Sequence, residues 1–349
     1  MTYFYGLMTA LWLCCVSFSA NGQESSNLQW HGYFSQGITQ SIDSDFITSD
    51  NQISAELTEI GLNGLYQVAS NISIAGQVVY LDGGNRFEQG SRLDYLFIDW
   101  TVDDIAGWQA QIHLGRYKNS HWLYSVTRDV PQTRDTAVLP QSVYFDGFRD
   151  VALGSNGIQT RFSKYTDNHV WEVNWSYGRS TINEEQRDYL LGSLALGKIK
   201  QDFVHQFSVF WQPASMNWKL GASWLDSDFE YIPLEQDNRF AGMSNIRRFM
   251  ISMQYFSENW ELSSELLREI QNFNGVFTPD YYDKRTGEGG FVQLRYLFSP
   301  RFSGLVSYDS YTNDVDDPNG VQLELESGGT VPSYFGYMGG YARGTSGAP

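Results

Sequence analysis

Residues 218–225 read Trp-Lys-Leu-Gly-Ala-Ser-Trp-Leu. Trp218, Leu220, Ala222 and Trp224 fall on one side, and Lys219, Gly221 and Ser223 on the other. A period of two with one apolar and one polar face specifies a β-strand. The same alternation returns in 72–81, in 169–178 with Trp171, Val173, Trp175 and Tyr177 opposite Glu172, Asn174 and Ser176, and in 291–298. Read along the chain, it predicts thirteen strands at 28–40, 53–68, 72–81, 92–102, 108–116, 151–162, 169–178, 203–212, 218–226, 247–256, 260–270, 289–298 and 302–311.

Alternating strands also build soluble sandwiches, and the connections separate the two cases. Those at 69–71, 103–107, 163–168, 213–217, 257–259 and 299–301 are short. Those near 41–52, 82–91, 117–150, 179–202, 226–246 and 271–287 are long and polar. Strict succession of short and long suits a membrane barrel with short periplasmic turns and long external loops. Aromatic residues at strand ends (Trp108, Trp171, Trp218, Trp260, Phe302) suit its interfacial girdles. A closed barrel also satisfies every backbone group in lipid. With the first strand leaving the periplasm, odd-numbered strands run outward.

Composition agrees. The 349 residues include 11 Trp, 22 Tyr, 22 Phe and 33 Gly against 9 Pro, a balance of strands and tight turns. A net charge of -17 lacks the basic footprint of a nucleic-acid binder. The first 22 residues carry no charged side chain, and the apolar run from Leu7 to Phe18 is too short to span a bilayer as a helix. With Ala20 and Gly22 as a cleavage signal, 1–22 reads as a signal peptide and 23–349 as one barrel domain. Cys14 and Cys15 lie inside that leader, so a mature chain beginning near Gln23 contains no disulfide.

The segment 115–150, GRYKNSHWLYSVTRDVPQTRDTAVLPQSVYFDGFRD, is the most specific in the chain. It resembles the Gram-negative outer-membrane porin family of proteobacteria at Gly115, Arg116, Lys118, Leu123, Tyr124, Arg128, Asp129, Leu139, Pro140, Gln141 and Tyr144. Ser120 and Trp122 stand where that pattern has Pro and Gly. The resemblance implies a homotrimer of transmembrane antiparallel β-barrels, all-β, of about 14–16 strands, with this long loop folded into the lumen. Its setting would be the outer membrane of a Gram-negative bacterium, among lipid and lipopolysaccharide. Such chains usually close on an aromatic residue of a last strand, and this one ends on Pro349. The expectation is therefore a barrel truncated after about 320, unless 321–326 (VQLELE) supplies a fourteenth strand.

Residues 116–150 hold five basic and four acidic side chains. A pore constriction is expected from Arg116, Lys118, Arg128, Asp129, Arg134, Asp135, Asp146 and Arg149. Charges in a narrow lumen set ion selectivity. Arg128 and Arg134 would face passing ions, with Pro131 stiffening the bend between them. The opposing interpretation is that the charges pair among themselves and hold the loop, and both stay open here. Alternation puts Glu172, Lys219, Glu261, Glu265, Gln293 and Arg295 on the lumen face, where Glu172, Lys219, Glu265 and Arg295 would tune conductance.

The function this supports is passive diffusion of ions and small hydrophilic solutes. A channel selective for phosphate-like anions or for sugars is the alternative, and a barrel enzyme the second. His121 follows Ser120, but neighbours in sequence do not make a catalytic pair, and neither G-x-S-x-G nor H-E-x-x-H occurs. No enzyme activity, metal or cofactor is expected. Residues 313–320 resemble a calcium loop only loosely, with Pro318 at an expected ligand position, and read as an acidic turn.

Overall fold

A computed structural model describes residues 27–40, 47–48, 53–87, 89–146, 149, 154–192 and 195–326. The expected signal peptide, 1–22, and the segment after 326 lie outside the described residues. Thirteen strands form one sheet in strict sequence order. They are β1 (Leu28–Gln40), β2 (Ile53–Ala69), β3 (Ile72–Leu81), β4 (Gly90–Ile105), β5 (Trp108–Lys118), β6 (Gly154–Tyr165), β7 (His169–Arg179), β8 (Lys198–Pro213), β9 (Trp218–Ile232), β10 (Gly242–Phe256), β11 (Trp260–Gly275), β12 (Tyr282–Ser299) and β13 (Phe302–Thr312). Every neighbouring pair is antiparallel.

All thirteen strands expected from alternation are present. Several run further at the long-loop end. β12 begins at Tyr282 rather than 289, because the charged, glycine-rich stretch 283–290 pairs residue for residue with 266–273 of β11. Backbone pairing needs no alternation, so the pattern alone could not show it. One expectation fails. Residues 321–326 form a short helix, not a fourteenth strand. The amide of Glu324 bonds the Gly320 carbonyl, and Leu323 turns into an apolar cluster with Leu191, Tyr231, Phe277 and Tyr281. That cluster joins the long connections after β7, β11 and β13 to the ends of β8 and β9, and it includes Leu191 of the helix Glu184–Leu191, which Asn183 caps.

The two faces of the sheet invert the soluble pattern. Phe34, Ile74, Leu96, Phe207, Ile251, Leu266, Val306 and others stand exposed on the outward face. Inward positions carry Gln159, Asn174, Ser176, Ser208, Ser252 and Glu265, all buried. An apolar exterior around a polar interior is the arrangement of a lipid-embedded barrel. The inside is filled by the β5–β6 connection. A glycine row lets the strands below its start pack closely: Gly115, Gly157 and Gly178 pair across β5, β6 and β7. Gly115 holds φ +133, and a Cβ there would lie 2.5 Å from the Leu96 carbonyl oxygen. A Cβ on Gly178 would meet the buried Tyr117 hydroxyl at 2.9 Å.

Candidate functional site: the loop inside the barrel

Beyond Lys118 the chain leaves β5 and crosses the interior instead of rising into solvent. Its path can be followed by where each polar group ends. His121 comes first, between β7 and β8. Nε2 lies 2.9 Å from the Ser176 hydroxyl and Nδ1 3.0 Å from that of Ser208. Imidazole and both serines are wholly buried. Burial, with Arg161 nearby, lowers the His121 pKa to about 3, so the ring is neutral, donating from one nitrogen and accepting at the other.

Next the loop reaches β11. The buried Glu265 carboxylate accepts from the Leu123 amide at 3.0 Å, the Ser252 hydroxyl at 2.8 Å and the Tyr144 hydroxyl. Around it Trp122, Tyr124, Leu139, Val143 and Tyr144 pack on Met250, Leu267 and Phe291 of β10, β11 and β12. Burial pushes the Tyr124 phenol up to about 12, and burial beside Glu265 holds that of Tyr144 well above its ordinary range.

The stretch 127–135 then turns back on itself. Pro131–Thr133 form a single 3-10 turn, with Pro131 in its first turn and the Thr133 hydroxyl donating to the carbonyls of Thr127 and Val130 at 2.9 and 2.7 Å. Proline fixes φ and has no amide to leave unsatisfied, which suits that position. The turn aims two adjacent, opposite charges at two different walls. Arg134 donates to Glu59 of β2. Asp135 accepts from Arg295 of β12, which also lies 3.4 Å from Glu261. Further on, the amides of Gln141 and Ser142 donate to Asp309 of β13 at 2.7 and 3.2 Å. On the opposite side the Tyr33 hydroxyl of β1 donates to the Asp129 carbonyl.

At the loop's foot lies an ionic knot. Lys118 bridges Asp94 at 2.8 Å and Asp129 at 3.1 Å. Arg86 meets Asp146 at 3.1 Å and Arg128 meets it at 2.5 Å. Arg149 pairs with Asp129 and lies 3.5 Å from Asp146. Arg128 donates to the Tyr144 carbonyl as well, at 2.6 Å. All seven side chains are 6 % exposed or less.

The structure therefore brings seven of the eight expected constriction residues into or beside this loop. Arg116 stands apart, donating from Nε to the carbonyls of Leu93 and Asp94 on β4. Arg128 and Arg134, expected to face passing ions, are turned away from open water, because carboxylates of the wall and of the loop itself hold them. Among the lumen residues, Glu265 is on the inward face but beneath the loop. Glu172 is partly open, 3.8 Å from Arg161. Lys219 lies over the Phe210 ring at 4.7 Å. Sequence reasoning missed Glu59, Arg86, Asp94 and Asp309. These lie on other strands or loops, and nothing local marks them. Met250, Leu267 and Phe291 did carry a signal: they are apolar at inward positions where a water-filled lumen would be polar.

His121 between two serines does not make a nucleophile–base pair. Both ring nitrogens are already engaged and the cluster has no face open to a substrate.

The sheet, its inverted faces and the loop inside it define an outer-membrane β-barrel. No family model matches the sequence, and no curated protein matches it. Among solved structures, the outer membrane channel DcaP of Acinetobacter baumannii is similar over 84% of this chain and 81% of that one, at 13% identity and TM-score 0.52. An anion-selective porin from Comamonas acidovorans aligns over 82% and 80% at 10% identity, TM-score 0.44. The loop L8 deletion mutant of Vibrio cholerae OmpT aligns over 82% and 93% at 11% identity, TM-score 0.41. The likeness to DcaP identifies the fold.

Proposed function

We propose that this protein is a passive diffusion channel of the Gram-negative outer membrane, passing ions and small hydrophilic solutes around the loop that narrows its lumen. The observation that carries this reading is the crossing itself. A loop held to β1 and β2 on one side and to β11, β12 and β13 on the other divides the interior without sealing a catalytic pocket. The partly open charges of the interior are of both signs, with Arg161, Lys219 and Arg295 against Glu172, Glu261 and Asp135. A channel for phosphate-like anions needs a ladder of free basic groups. Here the partly open cations Arg161, Lys219, Arg248 and Arg295 are scattered over β6, β9, β10 and β12, three of them beside carboxylates, and the loop arginines are neutralised. Mixed charge supports weak ionic preference, and assembly as a homotrimer belongs to the same proposal.

The test is conductance of the purified, refolded chain in planar bilayers with a salt gradient across them. Stable ohmic steps with a reversal potential near zero are expected. Folded protein that gives no steps overturns the channel, and a reversal potential near the ideal value for one ion replaces general diffusion with selectivity.

A further inference from the structure

On the inward face of β4, β5 and β6, two hydrogen-bond acceptors are set against each other. Asp99 pairs with His113, and His113 with Gln159. The Gln159 amide nitrogen donates to the Lys118 carbonyl and to the Ser120 hydroxyl, both at 3.0 Å. A carbonyl only accepts, so that end of the amide is the nitrogen. The other end, 3.0 Å from His113 Nδ1, is then the oxygen, and Nδ1 must carry the imidazole proton. In the neutral ring Nε2 is a bare lone pair. It points at Asp99 Oδ1, 3.4 Å away. That carboxylate oxygen is buried and has no hydrogen-bond partner. Arg161, diagonal to His113 on β6, is engaged elsewhere: its Nε donates to Asn174 at 3.2 Å, beside Glu172. Phe97 of β4 stacks on the imidazole at 4.2 Å and fixes the plane of the ring.

A positive charge belongs between two such atoms, and the distance discriminates among the candidates. An imidazolium–carboxylate hydrogen bond closes to about 2.7–2.9 Å, and 3.4 Å overshoots it. Adjacent ligands of a square-planar ion with bonds of about 2.0 Å stand about 2.8 Å apart. Around a tetrahedral zinc ion, with bonds of about 2.0–2.1 Å to nitrogen and about 2.0–2.2 Å to oxygen, they stand about 3.4 Å apart. The ring is also held as a zinc ligand is held, its other nitrogen donating to a fixed oxygen. The two side chains are 14% and 21% exposed, so the pair can be reached from the lumen.

We propose that His113 Nε2 and Asp99 Oδ1 bind one Zn²⁺ ion from the lumen, with water completing its tetrahedron. Through Gln159 the ion is tied to the start of the crossing loop. The site rests on the geometry of β4–β6 and not on channel activity, so a chain that conducts nothing still tests it.

The experiment is calorimetric titration of the full chain, folded in detergent, with ZnCl2 or MgCl2 at pH about 7.5, above the ordinary histidine range. Thermal melts without metal accompany it. Asp99→Asn and His113→Gln should each weaken zinc binding at least about tenfold, the least that loss of a supporting group around a metal costs. Mg²⁺, which demands an octahedral shell and prefers oxygen, should show no such difference. Asp99→Asn is the more telling variant, because its amide can donate to the bare Nε2. Without metal it should melt no lower than the unaltered protein, although its zinc affinity is lost. Folded, unaltered protein that binds no zinc overturns the proposal, as does equal zinc affinity in Asp99→Asn. A metal-free Asp99→Asn protein that melts lower overturns it too, since His113 would then already be charged and paired with Asp99.

Discussion

At the scale of single residues, the loop is held by groups whose protonation and pairing are fixed by burial. The folded His121 has a pKa of about 3, below the roughly 6.5 of an unfolded chain. The unfolded state binds the proton more readily, so this group's contribution is complete above pH 6.5 and is lost as pH falls toward 3. Loop anchorage at β7 and β8 should weaken over that window. His121→Asn, neutral at every pH, should flatten the acid limb of thermal stability; an unchanged limb would mean that another group governs it. Arg128 gives a second prediction. Its replacement by alanine strips a cation from the knot and leaves Asp146 less compensated in the interior, a loss of about 3–5 kcal/mol for a buried pair. Arg128→Ala should lower the thermal midpoint and raise current noise, whereas an arginine lining the stream would shift the reversal potential in a quiet, stable channel.

At the scale of elements, strand positions were legible in the sequence because the pleat forces a two-residue period wherever one face meets lipid. Strand ends beyond the bilayer were not, since at 283–290 and 271–275 both faces meet water or loops and the pattern dissolves. The short helix at 321–326 was misread for a related reason: VQLELE alternates, but the face it buries is one residue, Leu323. The loop's membership was legible from its charges and its Pro131. Its partners were not, because Glu59, Asp94 and Asp309 become special only when the sheet curls. Docking rests on packing as much as on charge. Phe291, 1% exposed beneath Tyr124 and Tyr144, should cost about 3–5 kcal/mol on truncation to alanine. Phe291→Ala should expose the loop to proteolysis in detergent while the strand content by circular dichroism is retained.

At the scale of the molecule, the order of strands makes a definite topological statement. The loops after β7, β9 and β11 share one rim, and the turns at 166–168, 214–217 and 257–259 share the other. Single cysteines at Thr278 and at Ser257 should differ when intact cells meet a membrane-impermeant maleimide, with only the first labelled. Labelling of both, or of Ser257→Cys alone, would reverse the orientation. The edge strands carry a further implication. Both β1 and β13 are odd-numbered and run the same way, and among the described residues they share no ladder. What spans from one flank to the other is the pair Arg134 and Asp135, tied to β2 and β12. In time, this imposes a sequence of events. Hairpins between chain neighbours can zip early, each closing a small loop at little entropic cost. The Arg134 contact needs only β2 and the loop, whereas the Asp135 contact with Arg295, 160 residues away, can form only when β12 is present. The second anchor of the crossing loop is thus a late step that reports completion: a chain lacking β12 has Arg134 fastened and Asp135 without its partner Arg295.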